Sequence, residues 1–146
     1  MSEENVKLVR GAWEPFEGIN VATIEWGADG MREVFAALFA PDVELRTLAS
    51  GLGSGVGEEY HGLDGLVAYL SEWMEPFSEY KVQNLDYIDA GDCVIVPSRQ
   101  WGIGSGSGAR VEIELTTLTV VRDGQITFVQ QFDTLEEARE AAAGRP

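Results

Sequence analysis

The chain has 146 residues, with 10 basic side chains against 25 acidic ones and a formal net charge of −15. That length predicts one domain over residues 1–146, burying roughly 70% of its unfolded surface, while 45% hydrophobic content and four tryptophans exclude a disordered acidic chain. The acidic field disfavours nucleic acid and anionic membrane surfaces, and a single cysteine with a single histidine excludes an intramolecular disulfide and a Cys/His zinc centre.

No metal and no cofactor are therefore expected. The start, Met1-Ser2-Glu3-Glu4, has no basic region followed by an apolar stretch, and no run approaches the ~18 apolar residues of a membrane span. A cytoplasmic location is expected. Ser2 is placed to cap a first helix whose apolar positions Val6, Val9 and Trp13 recur at helical spacing. Pro15 and Gly18 end or bend it. Residues 19–27 mix β-branched side chains with a position between helices, and are read as a loop or short helical turn. A second helix runs from about 29 to 39, with Met31, Val34, Phe35 and Leu38 on one face, and stops before Pro41.

Residues 43–48 alternate as a strand, and the glycines at 51, 53, 55 and 57 make a connection able to cover a cavity. A third helix spans 63–74, with Leu63, Leu66, Val67, Leu70, Trp73 and Phe77 at helical spacing. Strands follow at 80–87 and 93–101, joined at Ala90-Gly91-Asp92; Cys93 reads as a small buried hydrophobe beside Val94-Ile95-Val96. The glycine-rich run 102–108 lacks the Gly-Lys-Ser/Thr ending of a phosphate loop and is a hairpin connection. Two long alternating runs, 111–121 and 125–133, meet across Asp123-Gly124 and form a hairpin. Thr134 with Glu137 is a capping box for a last helix carrying Leu135, Ala138 and Ala142. This order predicts an α+β domain: a curved antiparallel sheet packed on N-terminal helices, with a short C-terminal helix and a conical cavity.

The residues Glu4-Asn5-Val6-Lys7-Leu8-Val9-Arg10, Leu38-Phe39-Ala40-Pro41-Asp42-Val43-Glu44, Tyr60-His61-Gly62-Leu63-Asp64-Gly65-Leu66 and Arg122-Asp123-Gly124-Gln125-Ile126 resemble, in order and spacing, the SnoaL-like branch of the nuclear transport factor 2-like superfamily. The resemblance implies the cone-shaped fold and a homodimer formed through the sheet. It does not settle an activity, because polyketide cyclases, ketosteroid isomerases, epoxide hydrolases and members without chemistry share it. The isomerases' general-base aspartate falls at Thr47 and their acidic donor near Thr117, so that mechanism lacks its carboxylate. The cyclases' acid/base aspartate at the end of the last strand is similar to Asp133. Epoxide hydrolases use an arginine and two aspartates, of which only Arg99 and Asp133 have loose counterparts.

Period two puts Val129, Gln131 and Asp133 on one face of the last strand, and comparison with the isomerases turns that face toward the cavity. There Asp133 is either a desolvated proton carrier or a carboxylate supporting the next helix. His61 is either a loop residue or a proton shuttle at the cavity mouth, and Tyr60 a core aromatic or a donor to a carbonyl. Arg99 points either outward or, with Trp101 on its face, inward to hold Asp133 or a ligand carboxylate. Trp13, Phe16, Trp26, Trp73 and Phe77 are core residues or the lining of a pocket for a flat hydrophobic molecule, with Thr117, Val129 and Gln131 beside them. The functional expectations are a cofactor-independent acid/base enzyme acting on a polycyclic or terpenoid-like molecule, a binding protein for an apolar ligand, or a structural domain.

Overall fold

The computed structural model describes residues 2–48 and 59–145, Ser2 by its backbone. The glycine-rich connection at 51–57 and the Ser2 side-chain cap lie outside the described residues. The helices are α1 (Ser2–Trp13), α2 (Asp29–Leu38), α3 (Gly62–Met74) and α4 (Leu135–Ala143). The strands are β1 (Phe39–Arg46), β2 (Glu59–His61), β3 (Phe77–Asn84), β4 (Ile88–Asp89), β5 (Cys93–Gly104), β6 (Arg110–Arg122) and β7 (Gln125–Phe132). They form one curved sheet in the order β2-β1-β7-β6-β5-β3, with β4 beside β5.

The α+β class holds, with local differences: β3 starts at Phe77, read above with the third helix, β5 runs on to Gly104, and β4 is an added short strand. The sheet is antiparallel except where β1 runs parallel to β7. Strand β1 begins at Phe39, ahead of Pro41, whose exposed ring needs no ladder donor because the register with β7 shifts between Phe39 and Glu44. The short strand β2 pairs with β1 through Leu45 and Tyr60. Between α1 and α2 lie two single turns of 3-10 helix, Glu14–Phe16 and Val21–Thr23. Asn20 caps the second, accepting from the Ala22 N–H at 3.0 Å and from the Tyr80 N–H at 3.0 Å. One short side chain thereby ties this segment to β3.

The β6–β7 hairpin closes through Asp123 and Gly124, both with positive φ (53° and 76°), as a two-residue turn matching the strand twist requires. The pleat then separates two clusters. On the inner face Leu115 and Val129 join Val9, Trp26, Phe35, Phe39, Leu66 and Trp73 in a core shared with α1, α2 and α3. On the outer face Cys93, Leu118 and Val120 meet Phe128, Phe132, Ala141 and Ala142 under α4. A register shift at Val120/Val121, where Thr127 has no partner across the ladder, reverses the parity of β7, so Ile126 joins the inner core opposite Val121, which keeps the parity of Leu115. Thr134 accepts from the Glu137 N–H at 3.1 Å and so starts α4. No helix among the described residues is long and apolar enough to cross a membrane.

Gly102 lies where β5 passes beneath Phe77 and Tyr80, and a Cβ there would stand 2.7 Å from the Phe77 ring and 2.8 Å from the Tyr80 ring. Gly102→Ala is predicted to lower stability by about 1–3 kcal/mol through overpacking, read from urea unfolding. Gly106→Ala, which meets nothing within 4 Å, should leave the midpoint in place.

Candidate functional site

Helices α1, α2 and α3 stand over the inner face of the sheet and enclose a cavity of about 140 Å³. Its walls are mostly carbon. Trp13 and Phe16 come from the end of α1 and the turn after it, Trp26 and Phe35 from the segment leading through α2, and Leu66, Leu70 and Trp73 from α3. The rings touch in series: Trp13 to Phe39 at 5.8 Å, Phe39 to Phe35 at 5.9 Å, Phe35 to Trp26 at 6.2 Å and Trp26 to Phe16 at 5.5 Å. Such tilted, stacked and edge-on contacts add to area burial. Val34, 46% exposed, stands at the rim.

The sheet supplies the polar part of the lining: Asn84, Ser98, Gln100, Thr117 and Gln131, facing Tyr69 of α3. Two tyrosine–glutamine pairs organise it. Tyr80 donates to Gln100 Oε1 at 2.7 Å, Gln100 Nε2 donates to Ser98 Oγ at 3.1 Å, and Ser98 donates to the Leu115 carbonyl at 3.2 Å. Across the cavity the Leu48 N–H donates to Gln131 Oε1 at 3.3 Å, and Gln131 Nε2 donates to the Tyr69 hydroxyl. Burial pushes both phenols upward: for Tyr69 desolvation leads, with Tyr80 adding to it and the Gln131 hydrogen bond opposing; for Tyr80 desolvation is opposed by a hydrogen bond with Trp73. Among the described lining residues there is no carboxylate, no histidine, no lysine or arginine and no thiol.

Of the residues singled out in the sequence, Trp13, Phe16, Trp26, Trp73, Thr117, Val129 and Gln131 line this cavity. The remainder do not. Val129 and Gln131 do turn inward, but β7 ends at Phe132 and the pleat stops before Asp133. That carboxylate is exposed, while Thr134 caps α4, so the orientation expected for Asp133 is corrected. His61 is also outside, with its side chain 67% exposed and 4.0 Å from Glu59. Tyr60 is buried behind the wall, donating to Glu72 Oε1 at 2.9 Å and set edge-on to Tyr69 at 5.5 Å. Because Gln100 faces in, the pleat turns Arg99 and Trp101 out. Arg99 pairs with Glu114 at 3.2 Å, and Trp101 lies under Arg110 at 5.9 Å. Phe77 packs against Tyr80 at 4.9 Å instead of reaching the cavity.

Tyr69, Ser98 and Gln100 escaped the sequence reading. Tyr69 follows Leu66 by three and precedes Trp73 by four, which is the face of one helix. Ser98 and Gln100 continue the parity of Val94 and Val96. Away from the cavity, ligand atoms of Glu44, Glu59 and His61 lie within 4.8 Å of one another. The Arg46 guanidinium already answers that charge, at 3.6 Å from Glu44 and 3.7 Å from Glu59.

A family model described as "SnoaL-like domain" matches residues 25–129. No curated protein sequence matches the chain. Among solved structures, a candidate SnoaL-like polyketide cyclase from Jannaschia sp. CCS1 is similar at a TM-score of 0.69 and 23% identity, over 99% of this chain and 95% of that one. TerC co-crystallised with polyporic acid is similar at 0.69 and 18%, over 97% and 99%. A protein of ketosteroid isomerase-like fold from Catenulispora acidiphila DSM 44928, in complex with trimethylamine, is similar at 0.62 and 18%, over 96% and 94%. At these identities the likeness carries the fold alone.

The tyrosines generate a pH prediction. Their folded-state pKa values lie above the unfolded value, so the folded protein binds more protons than the unfolded chain in alkali. Stability is then fully present below about pH 10 and falls as pH rises beyond it. Urea unfolding between neutral and alkaline pH should show this fall, and the slope should be shallower in Tyr80→Phe.

Proposed function

The chain belongs to the SnoaL-like domain family, and from that premise we propose that it is a binding protein for one uncharged, largely apolar small molecule. The observation that carries this reading is the lining: aromatic and aliphatic walls, a few neutral polar groups, and no ionisable side chain except a tyrosine held neutral by burial. Pockets of this composition bind by desolvation, with the polar groups fixing orientation. The volume of about 140 Å³ is close to the ~150 Å³ engineered apolar cavity that holds benzene. A single six-membered ring fits that space; a polycyclic or terpenoid-like molecule requires the walls to part. Polyporic acid in TerC and trimethylamine in the Catenulispora protein support a small-molecule role.

Proton-transfer chemistry through Asp133 finds no support, because that carboxylate is exposed beyond the end of β7. The expected homodimer fits the outer face of β5 and β6, where the half-buried Trp101 lies beside the Arg99–Glu114 and Arg110–Glu112 pairs. Sedimentation velocity should give a dimer that Trp101→Glu converts to monomer; an unchanged species would remove that face from consideration.

The binding reading predicts that toluene raises the melting temperature in a concentration-dependent way and that benzoate, of similar shape but charged, does not. Val129→Phe, which fills the cavity from the sheet side, should abolish the toluene effect. Asp133→Asn should leave it intact. Stabilisation by benzoate but not toluene would contradict the proposal.

A further inference from the structure

We infer that Tyr69 donates its phenolic proton to an acceptor oxygen on the bound ligand, so that the cavity selects a neutral ring bearing a carbonyl over the same ring without one. The inference rests on the binding reading above. Its basis is the count of protons and lone pairs in the two tyrosine–glutamine pairs, which have opposite polarity.

A backbone N–H can only donate. The Leu48 N–H, 3.3 Å from the Gln131 amide, therefore fixes which end of that amide is oxygen. The NH2 end then faces Tyr69, and the Tyr69 oxygen accepts from it. A phenol has one proton, and no described residue accepts the one on Tyr69. On the β3–β5 side both hydroxyl protons are placed: Tyr80 gives its own to Gln100 Oε1 and Ser98 its own to the Leu115 carbonyl, while Gln100 Nε2 gives one of its two protons to Ser98. Tyr80 is thus committed to the protein while Tyr69 is left with a donor at the cavity wall.

The remaining imbalance has the same sign. Trp13 Nε1 and Trp26 Nε1, both on cavity-lining residues, are buried without a hydrogen-bond partner among the described residues. The lining atoms buried without a partner among the described residues are therefore both donors, and a ligand acceptor is what complements them. An anion could also answer donors. The absence of any cationic residue from the described lining, with a net charge of −15, favours a neutral carbonyl instead. Burial keeps the Tyr69 phenol protonated at neutral pH, so the donor is permanent, and Gln131 acts as the positioning residue that orients it.

The test uses two rings of matched shape, cyclohexanone and methylenecyclohexane, with binding measured by calorimetry and the ketone C=O stretch of the bound ligand by infrared spectroscopy. For the native protein the stretch should move to lower frequency than in an apolar solvent. Tyr69→Phe should weaken cyclohexanone by about fivefold, the size of one neutral hydrogen bond, return the stretch to its apolar-solvent position, and leave methylenecyclohexane binding as it was. Equal weakening of both rings, or a stretch that stays shifted in Tyr69→Phe, would overturn the role of Tyr69 while the binding reading survives. A native protein that binds neither ring overturns both. The infrared shift needs no variant, so an unshifted ketone in the native protein rejects the inference even if Tyr69→Phe does not fold.

Discussion

The Asp123-Gly124 turn and the ladder it closes are the constraint on which the other features depend. Two left-handed residues in succession set the β6–β7 register, and side chains alternate across a strand, so a slip of one residue would exchange the two faces. In the observed register Thr117 pairs with Gln131 and Thr119 with Val129, which brings both sheet-side walls of the cavity to the same surface. The opposite parity gives Leu118, Val120, Phe128 and Phe132 to the contact with α4. The cavity and the C-terminal helix are two sides of one pleat.

That dependence explains what could be read from the residues. The hairpin, the Thr134–Glu137 cap and the three apolar helix faces are local signals, each set by residues within a few positions of one another, and the α+β class follows from their order. The parallel pairing of β1 with β7 and the brief β2 are contacts between distant segments, and no local pattern announces them. Asp133 shows the limit most clearly. Extrapolating the parity of Val129 and Gln131 by one more step turned it inward, but the strand ends at Phe132 and the helix cap takes over the backbone direction. Arg99 and Trp101 depended on the same parity question in β5, which the inward-facing Gln100 answers.

The site itself is defined by an asymmetry of donors and acceptors in a neutral space. Buried polar groups in an apolar setting are costly when unpaired, so the closed chain from Tyr80 to Leu115 belongs to the stability of the sheet. The open one, from Leu48 through Gln131 to Tyr69, is where stability has been left incomplete. With no acid, base or thiol among the described lining residues, this asymmetry is the available source of ligand discrimination beyond shape. It also separates the cavity from the acidic exterior, whose ion pairs, such as Arg32–Asp64 at 2.7 Å with Asp64 92% exposed, are surface features of small energetic weight.

An apolar cavity lies between the helices and the inner face of the sheet, and the proposed binding role requires it to be open to a guest. Diffraction from crystals pressurised with xenon tests it most directly, since xenon enters dry apolar cavities without needing a hydrogen bond. A xenon site bounded by Trp26, Phe35, Leu66, Trp73 and Val129 is the expected result. Those side chains packed against one another with no xenon between them would contradict it, and would make this a domain filled by its own core.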